Sequence, residues 1–208
     1  MRLVALSDTH GGHDGLSVPE GDLLVHAGDA TQHGRPDELV PFLDWFAALP
    51  HLHKVFVAGN HDRCTERDPE GTAGLCAARG ICFLCDEART VAGLSVFGSP
   101  VTPFHLGMAW NRARGPVIAE SWAKIPDGVD LLVTHGPPHL VGDRVPRAGP
   151  VGCADLRARV GAARPRVHVF GHVHEAHGAW TDGELPATRF FNVAIGRRER
   201  RPVTVVEL

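Results

Sequence analysis

The sequence has no apolar run that approaches the ~18 residues of a membrane span, so no membrane-spanning role is expected. Its first apolar stretch, residues 3–6, is far too short for the hydrophobic centre of a signal peptide, and the expected location is the cytoplasm. An excess of one charge is missing too: a formal net charge of -3 gives no case for generic nucleic-acid or membrane-surface binding. Lysine is nearly absent, Lys54 and Lys124 being the only two. Nothing resembles a disulfide framework: five cysteines is an odd count, and Cys82 and Cys85 form a lone CxxC without a partner motif to complete a zinc site. No repeat, low-complexity tract or linker interrupts the chain, so its 208 residues read as one domain, 1–208.

What the chain has in abundance is histidine, fourteen in all, many beside glycine or aspartate at the ends of apolar runs. Imidazole is the commonest metal ligand and a proton carrier near neutral pH, so the pattern calls for a search for metal-ligand spacing.

Short apolar runs alternate with helical stretches, which gives an α/β fold. Residues 3–6, 23–25, 55–58, 131–133 and 167–170 are brief, branched and bounded by turn residues, the marks of buried strands. Residues 89–91 and 94–97 form a hairpin across Ala92 and Gly93, and strands near 189–193 and 203–206 flank a charged turn at 197–201. Leu39, Phe42, Leu43 and Phe46 follow a helical stripe, in which Pro41 is tolerable only in the first turn. Leu156 and Val160 mark a helix that stops before Pro165, and a weaker helix covers 68–79. Residues 99–116 and 136–151, rich in Pro, Gly and Arg, read as long and therefore functional loops.

Five polar clusters each follow one of these strands. They are Asp8-Thr9-His10, Gly28-Asp29, Gly59-Asn60-His61-Asp62, Thr134-His135-Gly136 and Gly171-His172-Val173-His174. Groups at the C-terminal ends of strands in an open α/β sheet converge on one crevice. In Asp8-x-His10 and His172-x-His174, alternate residues of an extended segment point the same way and can share an ion. Asp29 can bridge two cations, and Asn60 offers a neutral oxygen. Two ions about 3.5–4 Å apart can hold a hydroxide and neutralise charge at both ends of an in-line displacement.

This ordered series resembles the motif set of the calcineurin-like metallophosphoesterases, in particular the small single-domain branch related to class III cyclic-nucleotide phosphodiesterases. The resemblance implies a four-layer α/β/β/α sandwich of two mixed sheets flanked by helices. It assigns Asp8, His10, Asp29 and His174 to one metal ion, and Asp29, Asn60, His135 and His172 to a second. His61 becomes a proton donor to the leaving oxygen or a stabiliser of developing charge, and Asp62 the group that orients it. The loop 104–115, with Asn111, resembles a substrate-facing stretch. Mixed nitrogen and oxygen ligation admits Mn, Fe, Co, Ni or Zn, with manganese the first expectation.

Arg144 and Arg147 follow His135 in a loop and can grip phosphate oxygens. His139, in the same region, reads either as a phosphate contact or as a plain loop histidine. His26, His168 and His177 read as structural, and Cys153 as packing. The expected activity is hydrolysis of a small phosphodiester such as a cyclic nucleotide. The alternatives are a phosphomonoesterase, a nuclease, whose sign would be salt-sensitive polynucleotide binding, and a metal-bound binding module without turnover.

Overall fold

The computed structural model describes residues 1–196 and 200–208. Branched runs bounded by Gly, Pro and Asp become strands, and the first three alternate with a helix: β1 (Arg2–Leu6), β2 (Leu23–Ala27), α1 (Pro36–Ala48) and β3 (His53–Val57). Next come α2 (Arg63–Arg67), α3 (Pro69–Ala77), β4 (Cys82–Phe83) and the hairpin of β5 (Glu87–Val91) and β6 (Leu94–Ser99). The hairpin turns on Ala92 and Gly93 at φ of 53° and 79°, positive at both central positions as a two-residue turn between twisted strands requires. Then follow β7 (Thr102–Pro103), β8 (Asn111–Arg112), α4 (Pro116–Trp122), β9 (Leu131–Thr134), β10 (Arg144–Val145) and β11 (Gly149–Pro150). The last elements are α5 (Ala154–Ala163), β12 (Val167–Phe170), β13 (Gly178–Trp180), β14 (Arg189–Asn192) and β15 (Thr204–Glu207).

One sheet has the order β15-β1-β2-β3-β4 and the other β13-β14-β12-β9-β6-β5. Both are mixed. In the first, β1 to β4 are parallel and β15 is antiparallel on the edge. In the second, β6, β9, β12 and β14 are parallel, with β5 and β13 antiparallel. The two-residue period of a strand sends neighbours to opposite faces. Leu3, Val25 and Val55 of one sheet therefore share a buried cluster with Val96, Val133 and Val169 of the other. Val4, Leu24 and Phe56 turn outward onto Leu39, Phe42, Leu43 and Phe46 of α1. On the opposite side, Phe97, Leu132 and Phe170 meet Ile118 and Trp122 of α4 and Leu156 and Val160 of α5. The result is the four-layer α/β/β/α sandwich.

Two local expectations are corrected and a third is extended. Pro41 lies in the second turn of α1, not the first, and faces solvent. An interior proline costs ~3 kcal/mol, but each buried Leu or Phe of the stripe returns ~1.5–3 kcal/mol, so the helix runs through it. The long loops 99–116 and 136–151 are partly ordered as two small ribbons, β7 with β8 and β10 with β11. The weaker helix is α3, preceded by the unforeseen short α2 and capped by the Asp68 carboxylate on the Gly71 N–H. Of the charged turn at 197–201, residues 197–199 lie outside the described residues.

Candidate metal centre

Parallel strands from both sheets point their C-terminal ends at one place. Asp8 and His10 follow β1, Asp29 follows β2, and Asn60 and His61 follow β3; His135 follows β9, and His172 and His174 follow β12. The chain must bend back at once to aim these groups inward. Asp8, His10, Asp29 and His172 accordingly occupy left-handed backbone, with φ of 58°, 46°, 57° and 68°. Such a conformation costs a non-glycine residue of order 1–3 kcal/mol and persists only where surroundings enforce it. Glycine is required beside them for space. A methyl at Gly59 would overlap the Asp29 carboxylate, and one at Gly171 the Ser7 hydroxyl and the Asp8 carboxylate.

Among the described residues three overlapping donor groups result: Asp8, His10 and His174; His10, Asp29 and His61; Asp29, His135 and His172. Within each, one ligand atom per residue lies within 4.8 Å of the others. His174 Nε2 is 3.2 Å from Asp8 Oδ1 and 3.3 Å from His10 Nε2. His10 Nε2 lies 3.8 Å from Asp29 Oδ2. His135 Nε2 is 3.4 Å from Asp29 Oδ1 and 2.9 Å from Asn60 Oδ1. Asp29 and His10 each belong to two of the three groups.

Three of the imidazoles are oriented through Nδ1. The His135 Nδ1–H donates to the Ala27 carbonyl at 2.9 Å and the His61 Nδ1–H to the Gln32 carbonyl at 2.8 Å; His10 Nδ1 lies 3.4 Å from the Thr31 carbonyl. A carbonyl can only accept, so Nδ1 carries a proton and Nε2 is the atom turned inward, free to meet a cation once it carries no proton of its own. This is the arrangement that metal-bound histidines need.

The charges agree with it. Burial alone would raise Asp29, but His135, through charge and a hydrogen bond, together with His10 and His61, holds it well below the usual carboxylate range. Asp8 is likewise pulled down to about 2 against its burial by the His174 hydrogen bond and the charge of His135. Burial opposes the charge on His135, yet Asp29 pushes it up to about 9. Burial takes His172 down to about 4, which leaves its ring neutral. Ionised carboxylates facing inward lone pairs fit a cation, and the proton on His135 is what a cation would displace. A cavity of about 430 Å³ opens above these groups, bordered by His61, His105, Leu106, Met108 and Glu175.

The remaining expected site residues are placed differently. Asp62 does not orient His61, which the Gln32 carbonyl holds. The Asp62 carboxylate, fully buried, accepts from Ala30 N, Thr31 N, Thr31 Oγ1 and Gly59 N at 3.2, 2.8, 2.7 and 2.9 Å. It ties the loops that carry Asp29 and Asn60. Asn111 does not border the cavity; its Oδ1 accepts from His105 N and Met108 N at 3.0 and 3.1 Å, so it shapes the loop that delivers His105 and Met108 to the rim. His139 Nδ1 sits 3.5 Å from Asp143 Oδ2, away from the cavity. Arg144 and Arg147 are exposed and line a neighbouring cleft that meets the cavity at Glu175. Sequence reasoning missed Thr31, His105 and Glu175. Glu175 was findable from adjacency, since it follows His174 directly.

Against this geometry stand the comparisons. The model of the calcineurin-like phosphoesterase family matches residues 1–176. The human metallophosphoesterase domain-containing protein 1 is 36% identical over 225 residues, covering 97% of this chain and 68% of that protein. A UPF0046 protein of Caenorhabditis elegans is 36% identical over 215 residues, covering 94% and 75%. The crystal structure of TT1561 of Thermus thermophilus superposes with a TM-score of 0.65 at 12% identity, covering 99% of this chain and 98% of that one, a likeness of fold. The chain belongs to the calcineurin-like phosphoesterase family.

Proposed function

We propose that this protein is a dinuclear metal-dependent phosphodiesterase acting on small substrates, cyclic nucleotides or similar, in the manner of the class III branch. The carrying observation is the reach of the Asp29 carboxylate to both sets of donors, its Oδ2 lying 3.8 Å from His10 Nε2 and its Oδ1 3.4 Å from His135 Nε2, a placement that suits a carboxylate shared by two ions. Asp8, His10, Asp29 and His174 would hold one ion, and Asp29, Asn60, His135 and His172 the other. Divalent ions, with manganese favoured, supply Lewis-acid charge neutralisation at the phosphoryl group when bound. His61 presents Nε2 to the cavity, because Nδ1 is committed to the Gln32 carbonyl; in the doubly protonated ring Nε2 would carry the proton that passes to the leaving oxygen, Nδ1 keeping its own. Asp62 is a positioning residue that fixes the loops under Asp29 and Asn60. Asn111 acts through the loop it pins. Arg144 and Arg147 meet a distal anionic group of a substrate, since their cleft adjoins the metal cavity only at its edge.

The test is turnover of bis(p-nitrophenyl) phosphate beside p-nitrophenyl phosphate by chelator-stripped protein with Mn²⁺ restored. The expected result is manganese-dependent diester cleavage well above monoester cleavage, abolished in Asp29→Asn. Monoester preference would establish a phosphatase instead, and inactivity on both with metals bound would point to a binding module.

A further inference from the structure

Glu175 follows His174 directly and is exposed, yet it borders three adjoining cavities. One is the metal cavity. A second, of about 500 Å³, is walled by Pro103, Phe104, Pro137, Pro150 and Val151. Its prolines are stiff, and Arg114 ties its wall by donating to the Val151 and Gly152 carbonyls at 2.7 and 2.8 Å. The third is the cleft of Arg144 and Arg147. No ion pair or side-chain hydrogen bond within the protein engages the Glu175 carboxylate among the described residues. A free carboxylate at the mouth of a site for anions weakens anion binding there, and the weakening grows with the charge the ligand brings.

We propose that Glu175 is a specificity-determining residue: it selects monoanionic diesters, whose second ester group fills the apolar cavity, against dianionic monoesters. The inference rests on the phosphoester reading above and deepens it. A monoester brings a second negative charge to the edge where Glu175 stands and has no second ester group to fill the Pro-lined space. A diester, with one negative charge fewer, meets less repulsion and buries apolar surface. Selection of this kind works by building repulsion against the wrong ligand rather than attraction to the right one.

The experiment compares wild type with Glu175→Gln, which keeps the shape and removes the charge, both with metals restored. Calorimetry gives dissociation constants for phenylphosphonate as the dianion and for its monomethyl ester, a monoanion; neither is a hydrolysed phosphate ester. The expected result is that the ratio of the two constants moves roughly 5- to 10-fold toward the dianion in Glu175→Gln, the scale of one charge pair several ångström apart in a wet cleft. The ratio of kcat/KM for p-nitrophenyl phosphate over bis(p-nitrophenyl) phosphate should rise by a similar factor. A binding ratio that the substitution leaves unmoved overturns the role of Glu175 while the phosphoester reading stands. Failure of metal-loaded wild type to bind either phosphonate overturns that reading, and this inference with it.

Discussion

Asp8, His10, Asp29 and His172 are neither glycine nor asparagine, yet all four hold left-handed backbone, and this shapes what substitutions should do. At Asp29 the side chain and the φ of 57° can be separated. Asp29→Ala and Asp29→Gly both delete the carboxylate and its hydrogen bond from the His61 N–H, so both should lose metal-dependent turnover, by roughly 10³-fold or more if it bridges two ions. In metal-stripped protein, however, Asp29→Gly should be the more stable by about 1 kcal/mol, because glycine occupies this region without the clash of a Cβ. Urea unfolding of the two variants decides it, and equal midpoints would remove the strain. Gly171→Ala should lower metal affinity by about 10- to 100-fold, the range seen when groups behind metal ligands are disturbed, since its methyl displaces Ser7 and Asp8; equilibrium dialysis against Mn²⁺ measures this. The clusters that meet at the candidate site were legible because each is a short polar run at the end of a branched one. The left-handed φ was not, because nothing in an Asp or His announces it. Asp62 was misread for a related reason: it follows His61 in sequence, but its carboxylate turns to Thr31 and Gly59 while the His61 ring turns to the Gln32 carbonyl.

Elements were legible in proportion to how much apolar surface they bury. The strands β1, β2, β3, β9 and β12 are buried along most or all of their length, and such strands leave continuous branched runs. β7, β8, β10 and β11 are two residues each, too short to show a period, and they hid inside Pro- and Gly-rich stretches. The rim of the metal cavity takes His105, Leu106 and Met108 from the loop between β7 and β8, so the substrate-facing side of the site was the least readable part. α1 shows the opposite limit: its stripe was plain, but whether Pro41 would break it depended on packing that sequence does not print. With Phe42 and Phe46 fully buried beneath it, the helix absorbs the proline and its missing N–H. Pro41→Ala should therefore stabilise the protein, by about 1–3 kcal/mol, without changing turnover, since α1 lies on the outer face away from the cavity. A urea midpoint that falls would show that the proline is compatible with this helix at no cost.

On the scale of the whole molecule, each sheet places one fully buried histidine on its helix-covered face. His26 packs under α1 against Phe42, Phe46 and Phe56, with ring centroids 4.7, 6.2 and 5.8 Å away. His168 lies beside Phe170 and Phe190 at 5.1 and 5.8 Å and bonds Thr134 Oγ1 at 2.8 Å. Burial drives both down to about 3 from the ordinary 6.5. A folded-state value below the unfolded one means that the unfolded chain takes up protons first as the pH falls. The stability held by these neutral rings is thus complete above pH 6.5 and is lost progressively from there toward 3. At about pH 5 the loss approaches 2 kcal/mol for each ring, at about 1.4 kcal/mol per unit. His135, raised to about 9, moves the other way: its contribution is full below 6.5, is lost progressively as the pH rises from there through 9, and stays flat below 6.5. Metal-stripped wild type should therefore show a urea midpoint well below its neutral value at about pH 5. His168→Leu removes one titrating ring from that balance while keeping an apolar side chain between Phe170 and Phe190. Its own midpoint at neutral pH can shift either way with packing, but its drop between pH 7.5 and 5 should be smaller than that of wild type by about one histidine's share. An equal drop in both proteins would mean that the outer faces of the sheets are not where the molecule's acid sensitivity lies.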